Sequence, residues 1–308
     1  MHDYPGYTSP AFGDSYRPFG EVLHLSRTGL QLLKRPLTDQ AYDLIGVYPY
    51  VMCADWSGLN QDIDELRGTG AVSVVFVADP FQSETVHDLT KNWALCQHFK
   101  SHYVVDLTQN WHQARRKNDR RETRRVFETH DFKVVTDPAP LAQALWGFYQ
   151  TTIETKQVTG MQRLSLATIQ QQLAVTGAVL VTAEDDAGLV GAMLSYDHGE
   201  TAVLHVSFVS ERAHEKKTSY GLIYAGLVEL ANRGCSLANL GGPAGNDDDL
   251  ADGLARFKSR WTKITRSALL CGEILDPGTY RQLESKSGCR PTSYFPSYRA
   301  PGSPFSPD

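Results

Sequence analysis

The sequence predicts an α/β fold in two blocks, each a mixed sheet with helices. One sign is the segment 71–81, AVSVVFVADPF, a nearly continuous apolar run that stops at Pro80, as expected of a buried strand. A second sign is three strand patterns at 178–183, 189–196 and 201–210, separated by the turn signals EDDAG and DHGE. Strands joined by such short polar turns favour an antiparallel meander. Helical patterns on both sides of the meander complete the second block.

The first block is predicted to cover residues 21–128, after a loose segment at 1–20 that is rich in Gly, Pro, Tyr and Ser. Asn60 or Ser57 lies near the expected start of its first helix. The predicted elements of this block are a strand at 44–52, a helix at 59–66, the strand at 71–81, a helix at 86–99, a strand at 103–107 and a polar helix at 110–128.

The second block is predicted to cover residues 129–285. Gly234 is a good stop for one helix, and Pro277 suits the first turn of another. The remainder, 286–308, carries five of the fifteen prolines and is expected to lack regular structure. The predicted elements of this block are helices at 140–155 and 166–175, the meander, a helix at 219–232, strands at 236–240 and 264–274, and a last helix after Pro277.

Composition restricts the class of protein. The chain has 308 residues, 41% hydrophobic and 21% charged, which is typical of a soluble globular protein. It has no apolar run long enough to span a bilayer and no secretory-signal pattern at its start. Five scattered cysteines form no CxxC pair and no metal-ligand spacing, so we expect a reduced, cytoplasmic protein without a metal site. A formal charge of −5 argues against a general nucleic-acid coat but allows a local basic patch.

The strand at 201–210 places His205 and Ser207 on one face. They could form the wall of a cleft, with His205 accepting or relaying a proton near neutral pH. They could equally belong to a hydrogen-bonded or solvated sheet face. Local spacing fixes no carboxylate beside His205, so a Ser-His-Asp triad is not supported.

The polar helix carries a row of like charges. Arg116, Arg120 and Arg124 follow one another at four-residue spacing and repel each other. An anionic partner such as the phosphates of RNA would relieve that repulsion, and so would carboxylates elsewhere in an acidic protein. Trp111 and His112, one turn earlier, could stack on a base or cap the core.

The segment NLGGPAGNDDDLADGLARFKSRW (239–261) joins a glycine turn to a short amphipathic helix. Lys258 lies beside the apolar stripe that includes Leu254, Phe257 and Trp261. A lysine in that position suits a site that handles developing negative charge, or it lays its stem on the core and lifts its ammonium group into water. The acidic triplet 247–249 matches no calcium loop and is better explained as a cap of the helix.

Four stretches in order, RRKNDRRETRR, VTAEDDAGLVGAMLSY, TSYGLIYAGLVELANRGCSLANLGG and GLARFKSRW, resemble the Fem-like branch of the GNAT acyltransferases. The resemblance implies two tandem GNAT-like domains and acyl or aminoacyl transfer to an amine. It also places Phe257 and Lys258 at the reaction centre, with the lysine stabilising the charge of the ester carbonyl or of the donor's terminal phosphate. Tyr220 and Gly242, which stand in the matching stretches, join the predicted substrate-binding set.

Two departures bear on the substrates. Ordinary GNAT enzymes hold the CoA pyrophosphate on a glycine-rich loop, but the corresponding stretch here, SERAHEKKTSYG, has one glycine that comes too late. The long helical-hairpin insertion of cell-wall Fem proteins is not seen, which favours a small-molecule acceptor over peptidoglycan.

The resulting hypothesis is transfer of an aminoacyl group from aminoacyl-tRNA to an amine of a small-molecule or peptide acceptor, without a cofactor. An acyl-CoA-dependent N-acyltransferase and an inactive double-GNAT binding protein remain as alternatives.

Overall fold

The computed structural model describes residues 5–244, 252–289 and 293–306. The strands, in chain order, are β1 (Glu21–His24), β2 (Gln31–Pro36), β3 (Tyr42–Gly46), β4 (Ala71–Val77), β5 (Leu95–Asp106), β6 (Asp131–Val135), β7 (Ala178–Asp185), β8 (Gly188–Asp197), β9 (Thr201–Val209), β10 (Leu237–Asn239) and β11 (Thr265–Ile274). The helices are α1 (Pro10–Asp14), α2 (Leu59–Glu65), α3 (Ser83–Thr90), α4 (Trp111–Ala114), α5 (Lys117–Phe127), α6 (Ala142–Lys156), α7 (Leu166–Leu173), α8 (Glu211–Glu215), α9 (Ser219–Asn232), α10 (Gly253–Lys258) and α11 (Pro277–Ser287).

The chain divides into two compact units. The larger unit contains the segment ending at Ser15, Lys100–Thr159 and Arg163–Arg266, and the smaller unit contains Tyr16–Phe99, Gly160–Gln162 and the chain from Ser267 onward. The predicted boundary after residue 128 instead falls between α5 and β6, inside the larger unit. The difference arises because α5 packs on α9 and β6 pairs with β7, so both flanks of that boundary share one core.

The smaller unit is a mixed sheet in the order β1-β2-β3-β4-β11. β3 and β4 are parallel, whereas β1, β2 and β11 run antiparallel to their neighbours. Six of the seven β4 residues are buried, which explains the unbroken apolar pattern of this strand. The predicted strand is therefore confirmed, although it ends at Val77, before Pro80.

The larger unit has strands in the order β5-β10-β9-β8-β7-β6. β7, β8 and β9 form the predicted antiparallel meander, with Leu180 opposite Leu194 and Leu194 opposite Val206. Asp185 accepts a hydrogen bond from the Ala187 amide and so closes the first of its turns. Leu222 and Leu227 of α9 are fully buried in the core on this sheet.

Several local predictions were wrong. The helix expected at 86–99 ends at Thr90, and residues 95–99 begin β5. The polar helix at 110–128 is interrupted, because Arg115 and the N-cap residue Arg116 have extended backbone between α4 and α5. Strands β1, β2 and β6 were not predicted, since each is short and lacks a strong apolar pattern.

The two ends of the chain are more ordered than their composition suggested. Residues 6–8 and α1 form helical turns in the segment predicted to be loose, and Tyr7 and Phe12 are 2% and 0% exposed. In the proline-rich tail, the guanidinium of Arg299 donates to both carboxylate oxygens of Asp43, at 2.9 and 3.1 Å. Composition missed these anchors because a few aromatic and charged residues, rather than a periodic pattern, hold both segments.

Within the part of the chain that the structure describes, no helix combines the length and apolarity that crossing a membrane requires.

Candidate active site

The glycine turn after β10 and the short helix α10 together position Lys258. The Asn239 side chain accepts a 2.7 Å hydrogen bond from the Gly241 amide, which has a positive φ of 81° that favours glycine. Lys258 Nζ donates a 2.6 Å hydrogen bond to the carbonyl oxygen of Gly242. A Cβ atom on Gly241 would lie 3.0 Å from that Nζ, so the turn allows the ammonium group to approach the backbone closely.

Asp252 fixes the start of α10. Its carboxylate accepts hydrogen bonds from the amides of Leu254 and Ala255, as an N-cap residue does. It also accepts one from the Ala244 amide, which ties the helix to the preceding loop. The acidic triplet 247–249 that was predicted to cap this helix lies outside the described residues.

Lys258 has an electrostatic setting unlike that of a surface lysine. Burial, followed by the positive charge of Lys100, lowers the pKa of Lys258 to about 7, against the opposing carboxylate of Asp252. The stem of Lys100 lies over the turn, with its Cδ 3.3 Å from where a Cβ of Gly242 would stand. Two lysines therefore flank Gly242. A negative charge placed near Lys258 would be stabilised there, because it would pair with the desolvated ammonium group.

Phe257 and Tyr220 also meet at α10. Their rings are in edge contact, with centroids 5.1 Å apart, and the Tyr220 ring lies 6.2 Å from that of Trp261. Arg260 donates to the Tyr220 hydroxyl and to Asp119 Oδ1, each at 3.1 Å. The structure thus brings three of the predicted residues, Lys258, Phe257 and Tyr220, onto or against one short helix, and Gly242 into contact with it.

The predicted arginine row is divided between two surface clefts. Arg116 and Trp111 belong to a cleft of about 270 Å³ that Arg260 and Trp261 also line. The rest of the row, Arg120 and Arg124, lines a second cleft of about 290 Å³ with His112, Phe127 and Tyr224.

Arg115 was not singled out by the sequence, yet it lines both clefts. It is 4% exposed and its guanidinium lies 3.7 Å from the centroid of the Trp261 ring. The interruption between α4 and α5 turns this arginine inward. A row of arginines in a sequence gives no signal for which member will be buried.

His205 and Ser207 occupy a different environment. His205 Nδ1 lies 2.7 Å from the Tyr7 hydroxyl and Nε2 lies 3.1 Å from Gln172 Oε1, so both ring nitrogens have a protein partner. Burial lowers the pKa of His205 to about 3. Ser207 Oγ lies 3.6 Å from the sulfur of Met193. The contacts of these two residues are separate from those of Lys258, and their proposed roles stay predictions.

Two residues that the sequence analysis did not identify contact or face His205 and Lys258. Tyr7 holds His205 from a segment that composition marked as loose, and Lys100 faces Lys258 from a strand that was predicted to be partly helical. Neither belongs to a motif, so only their position in the fold identifies them. In the described residues, no group of three or more His, Cys, Asp or Glu side chains is arranged to hold a metal ion.

The fold has clear relatives among solved structures. The chain matches FemX with a TM-score of 0.66 and 11% identity over 89% of this chain and 93% of that one. It matches L-PGS from Bacillus licheniformis with a TM-score of 0.57 and 14% identity over 87% and 92% of the two chains. The C-terminal domain of a putative lysylphosphatidylglycerol synthetase from Agrobacterium fabrum gives a TM-score of 0.55 and 14% identity, over 85% and 87%.

No protein-family model matches the sequence, and no curated protein gives a significant match. At these identities, the structural matches establish the fold and nothing further. They confirm the predicted mixed α/β fold and show that it resembles the fold of FemX.

Proposed function

We propose that this protein is an acyltransferase that moves an aminoacyl group from aminoacyl-tRNA to the amine of a small-molecule or peptide acceptor. The amine nitrogen attacks the ester carbonyl carbon, a C–N bond forms, and the bond from that carbon to the ribose oxygen breaks. The amine loses a proton and the released ribose oxygen gains one, so the products are an amide and a free tRNA.

The observation that carries this proposal is the placement of Lys258. Its Nζ is held against Gly242 O by a turn built for close approach, and burial lowers its pKa. Attack on an ester places negative charge first on the carbonyl oxygen and then on the leaving ribose oxygen. An ammonium group beside those atoms stabilises both charges, and we assign that role to Lys258. Phe257, which lies on α10 with Lys258 and contacts the ring of Tyr220 from α9, would line the site for the donor's acyl end.

The structure also supports RNA over acyl-CoA as donor. Gly221, the glycine that comes too late for a pyrophosphate loop, packs against Phe132, and a Cβ there would lie 2.1 Å from the ring. Its lack of a side chain is therefore explained by packing. Thr218, at the start of α9, is occupied by a contact of 3.2 Å between its hydroxyl and His130 Nε2. A donor made by the translation machinery would also place the reaction in the cytoplasm.

The direct test is incubation of the purified protein with tRNAs carrying a labelled amino acid, together with candidate amines. We expect loss of label from the RNA, gain of label in the amine product, and loss of both effects after RNase treatment. Unchanged label with every charged tRNA and acceptor would contradict the proposal.

A thermal shift with acetyl-CoA addresses the acyl-CoA alternative, because a tightly bound ligand raises the melting temperature. A clear rise in the melting temperature, combined with amide formation from acetyl-CoA, would show that acyl-CoA and not aminoacyl-tRNA is the donor. If neither donor binds, a binding protein without transfer activity becomes the better interpretation.

A further inference from the structure

A cleft between α4 and the residues that follow α10 has the features of a built anion site. We call it the Arg115–Trp261 cleft. Its volume is about 270 Å³, and all its lining residues belong to the larger unit. The lining residues that matter here are Trp111, Arg115, Arg116, Arg260, Trp261 and Lys263.

Two buried donors in this cleft have no hydrogen-bond acceptor among the described residues. Arg115 is 4% exposed and its Nε makes no hydrogen bond, although its Nη2 donates to Thr123 Oγ1 at 3.0 Å. Trp261 is 3% exposed and its indole Nε1 also makes none. Buried N–H groups nearly always have an acceptor, because an unpaired buried donor is costly. Two such donors on adjacent stacked groups indicate an acceptor that the described residues do not supply.

The charges around the cleft favour an anion as that acceptor. Arg116 and Lys263 are exposed at its rim, and Arg115 and Arg260 lie in its wall. Two carboxylates are close: Asp106, which accepts hydrogen bonds from the amide and hydroxyl of Thr108, and Asp119, which is paired with Arg260 at 3.1 Å. Four cations thus face two carboxylates, and Asp119 is engaged through Oδ1 while its buried Oδ2 has no hydrogen-bond partner among the described residues. Burial, opposed by the nearby charge of Asp119, lowers the pKa of Arg115 to about 10, which leaves it charged at neutral pH.

We propose that the Arg115–Trp261 cleft binds a phosphate group, supplied by a phosphodiester in the single-stranded end of the RNA donor. Arg115 Nε and Trp261 Nε1 are closed off from solvent in this structure, so the side chains shift as the phosphate enters and then donate to its oxygens. Arg116 and Lys263 attract the backbone at the rim. Arginine is well suited to this task, since its planar donors match the geometry of phosphate. That the phosphate belongs to RNA rests on the function proposed above. That the cleft binds a phosphate does not depend on that function.

The neighbouring cleft supports a nucleic-acid strand over a free ion. It shares Arg115 as a wall and adds Arg120, Arg124 and the half-exposed ring of Phe127. Aromatic rings beside arginines suit the stacking of an unpaired base, and a phosphate next to a base is the repeating unit of single-stranded RNA.

The test uses the full chain and a fluorescently labelled single-stranded oligoribonucleotide, with binding followed by anisotropy. Trp261→Phe keeps an aromatic ring beside Arg115 and removes the N–H donor together with part of the indole ring system. We expect roughly tenfold weaker binding, the usual effect of losing one hydrogen bond to a charged group. Arg116→Gln should weaken binding and reduce the slope of log K against log salt by about 0.7, as expected for one lost phosphate contact with a single strand. An unchanged melting temperature will show that both variants fold.

Arg121→Gln is the matched control, since Arg121 is 63% exposed on the same α5 helix and lines neither cleft. It should leave affinity nearly unchanged. If it weakens binding as much as Arg116→Gln while Trp261→Phe binds like the parent, binding reflects diffuse charge and the proposed site is refuted.

Inorganic phosphate and acetate at equal ionic strength separate the possible sources. Competition by phosphate and not by acetate supports the phosphate site. Phosphate could raise the melting temperature of the parent but not of Trp261→Phe, while the oligoribonucleotide does not bind. That result would support the phosphate site and contradict RNA as the donor. Transfer activity that persists at full rate in Trp261→Phe with unchanged RNA affinity would refute the cleft and leave the proposed function intact.

Discussion

Lys258 and His205 are two ionisable groups of the larger unit whose pKa is lowered mainly by burial, yet their surroundings differ. His205 lies among the rings of Tyr7, Phe12 and Tyr196, and both its nitrogens have neutral partners. Lys258 lies against a backbone carbonyl with a second lysine beside it. The partners of His205 satisfy the hydrogen-bonding needs of an uncharged imidazole ring. The second holds a cation that a negatively charged reactant would stabilise.

The comparison shows that burial by itself does not identify a reacting group. A pKa of about 3 leaves His205 neutral and weakly basic at physiological pH, whereas a pKa of about 7 leaves Lys258 able to change its charge there. The partners of each group, not the depth at which it lies, separate a structural role from a chemical one.

The largest effect is expected from Lys258→Ala. If the ammonium stabilises developing charge, turnover should fall by about 10²-fold or more. Single-turnover rates with the charged tRNA substrate give the measurement. Arg256→Ala, an exposed residue of the same helix, serves as the control and should keep parental activity. An unaffected rate in Lys258→Ala would show that Lys258 only packs its aliphatic stem on the core and takes no part in the reaction.

His205→Phe should show the opposite pattern. The substitution keeps an aromatic ring but removes the partners of the Tyr7 hydroxyl and of Gln172 Oε1, at a cost of about 1–3 kcal/mol in the free energy of unfolding. Denaturant titration measures this loss. Turnover should stay within a few-fold of the parent. A large fall in turnover with unchanged stability would restore His205 as the proton acceptor.

The pH dependence gives a third test. Since Lys258 loses its charge above a pKa of about 7, kcat/KM should fall on the alkaline side of that value. Lys100→Met removes the neighbouring positive charge, so it should raise the pKa of Lys258 and move the alkaline limb upward by roughly one unit. A limb that does not move would show that Lys100 does not act on the titrating group.

The same group affects stability with a defined sign. In the unfolded chain the pKa of Lys258 has its ordinary value of 10.5, so between pH 7 and 10.5 the unfolded state binds a proton that the folded state lacks. Its contribution to stability therefore rises with pH across this window. Lys258→Met should remove that rise, and denaturant midpoints at pH 7 and pH 9.5 will show it.

The smallest effect is expected from Tyr7→Phe. Loss of the hydroxyl that contacts His205 Nδ1 should cost about 1 kcal/mol of stability without changing turnover. In the His205→Phe background the same change should cost less, because the partner is already gone, and a double-mutant cycle measures the difference. Full additivity would mean that the two groups do not interact.

Much of the fold could be predicted from local patterns. The apolar run of β4, the meander with its polar turns and the helix that ends before Gly234 are all present in the structure. The predictions failed where long-range pairing overrides a local pattern. Residues 95–99 satisfy a helical pattern but extend as part of β5, and the arginine-rich helix breaks so that Arg115 can stack on Trp261.

The sequence by itself determined the α/β class, the Fem-like resemblance and the nomination of Lys258 beside an apolar stripe. The fold class and the nomination of Lys258 follow from periodicity and spacing, which act over a few residues, whereas the resemblance rests on four stretches of sequence in order. The tertiary structure decided what each ionisable group can do. Tyr7 and His205 are 198 residues apart in sequence, and Lys100 faces Lys258 across a similar distance along the chain. Charge, burial and hydrogen-bond partners depend on such non-local neighbours. Only the folded chain therefore distinguishes Lys258, with a pKa near 7, from His205, which is held neutral.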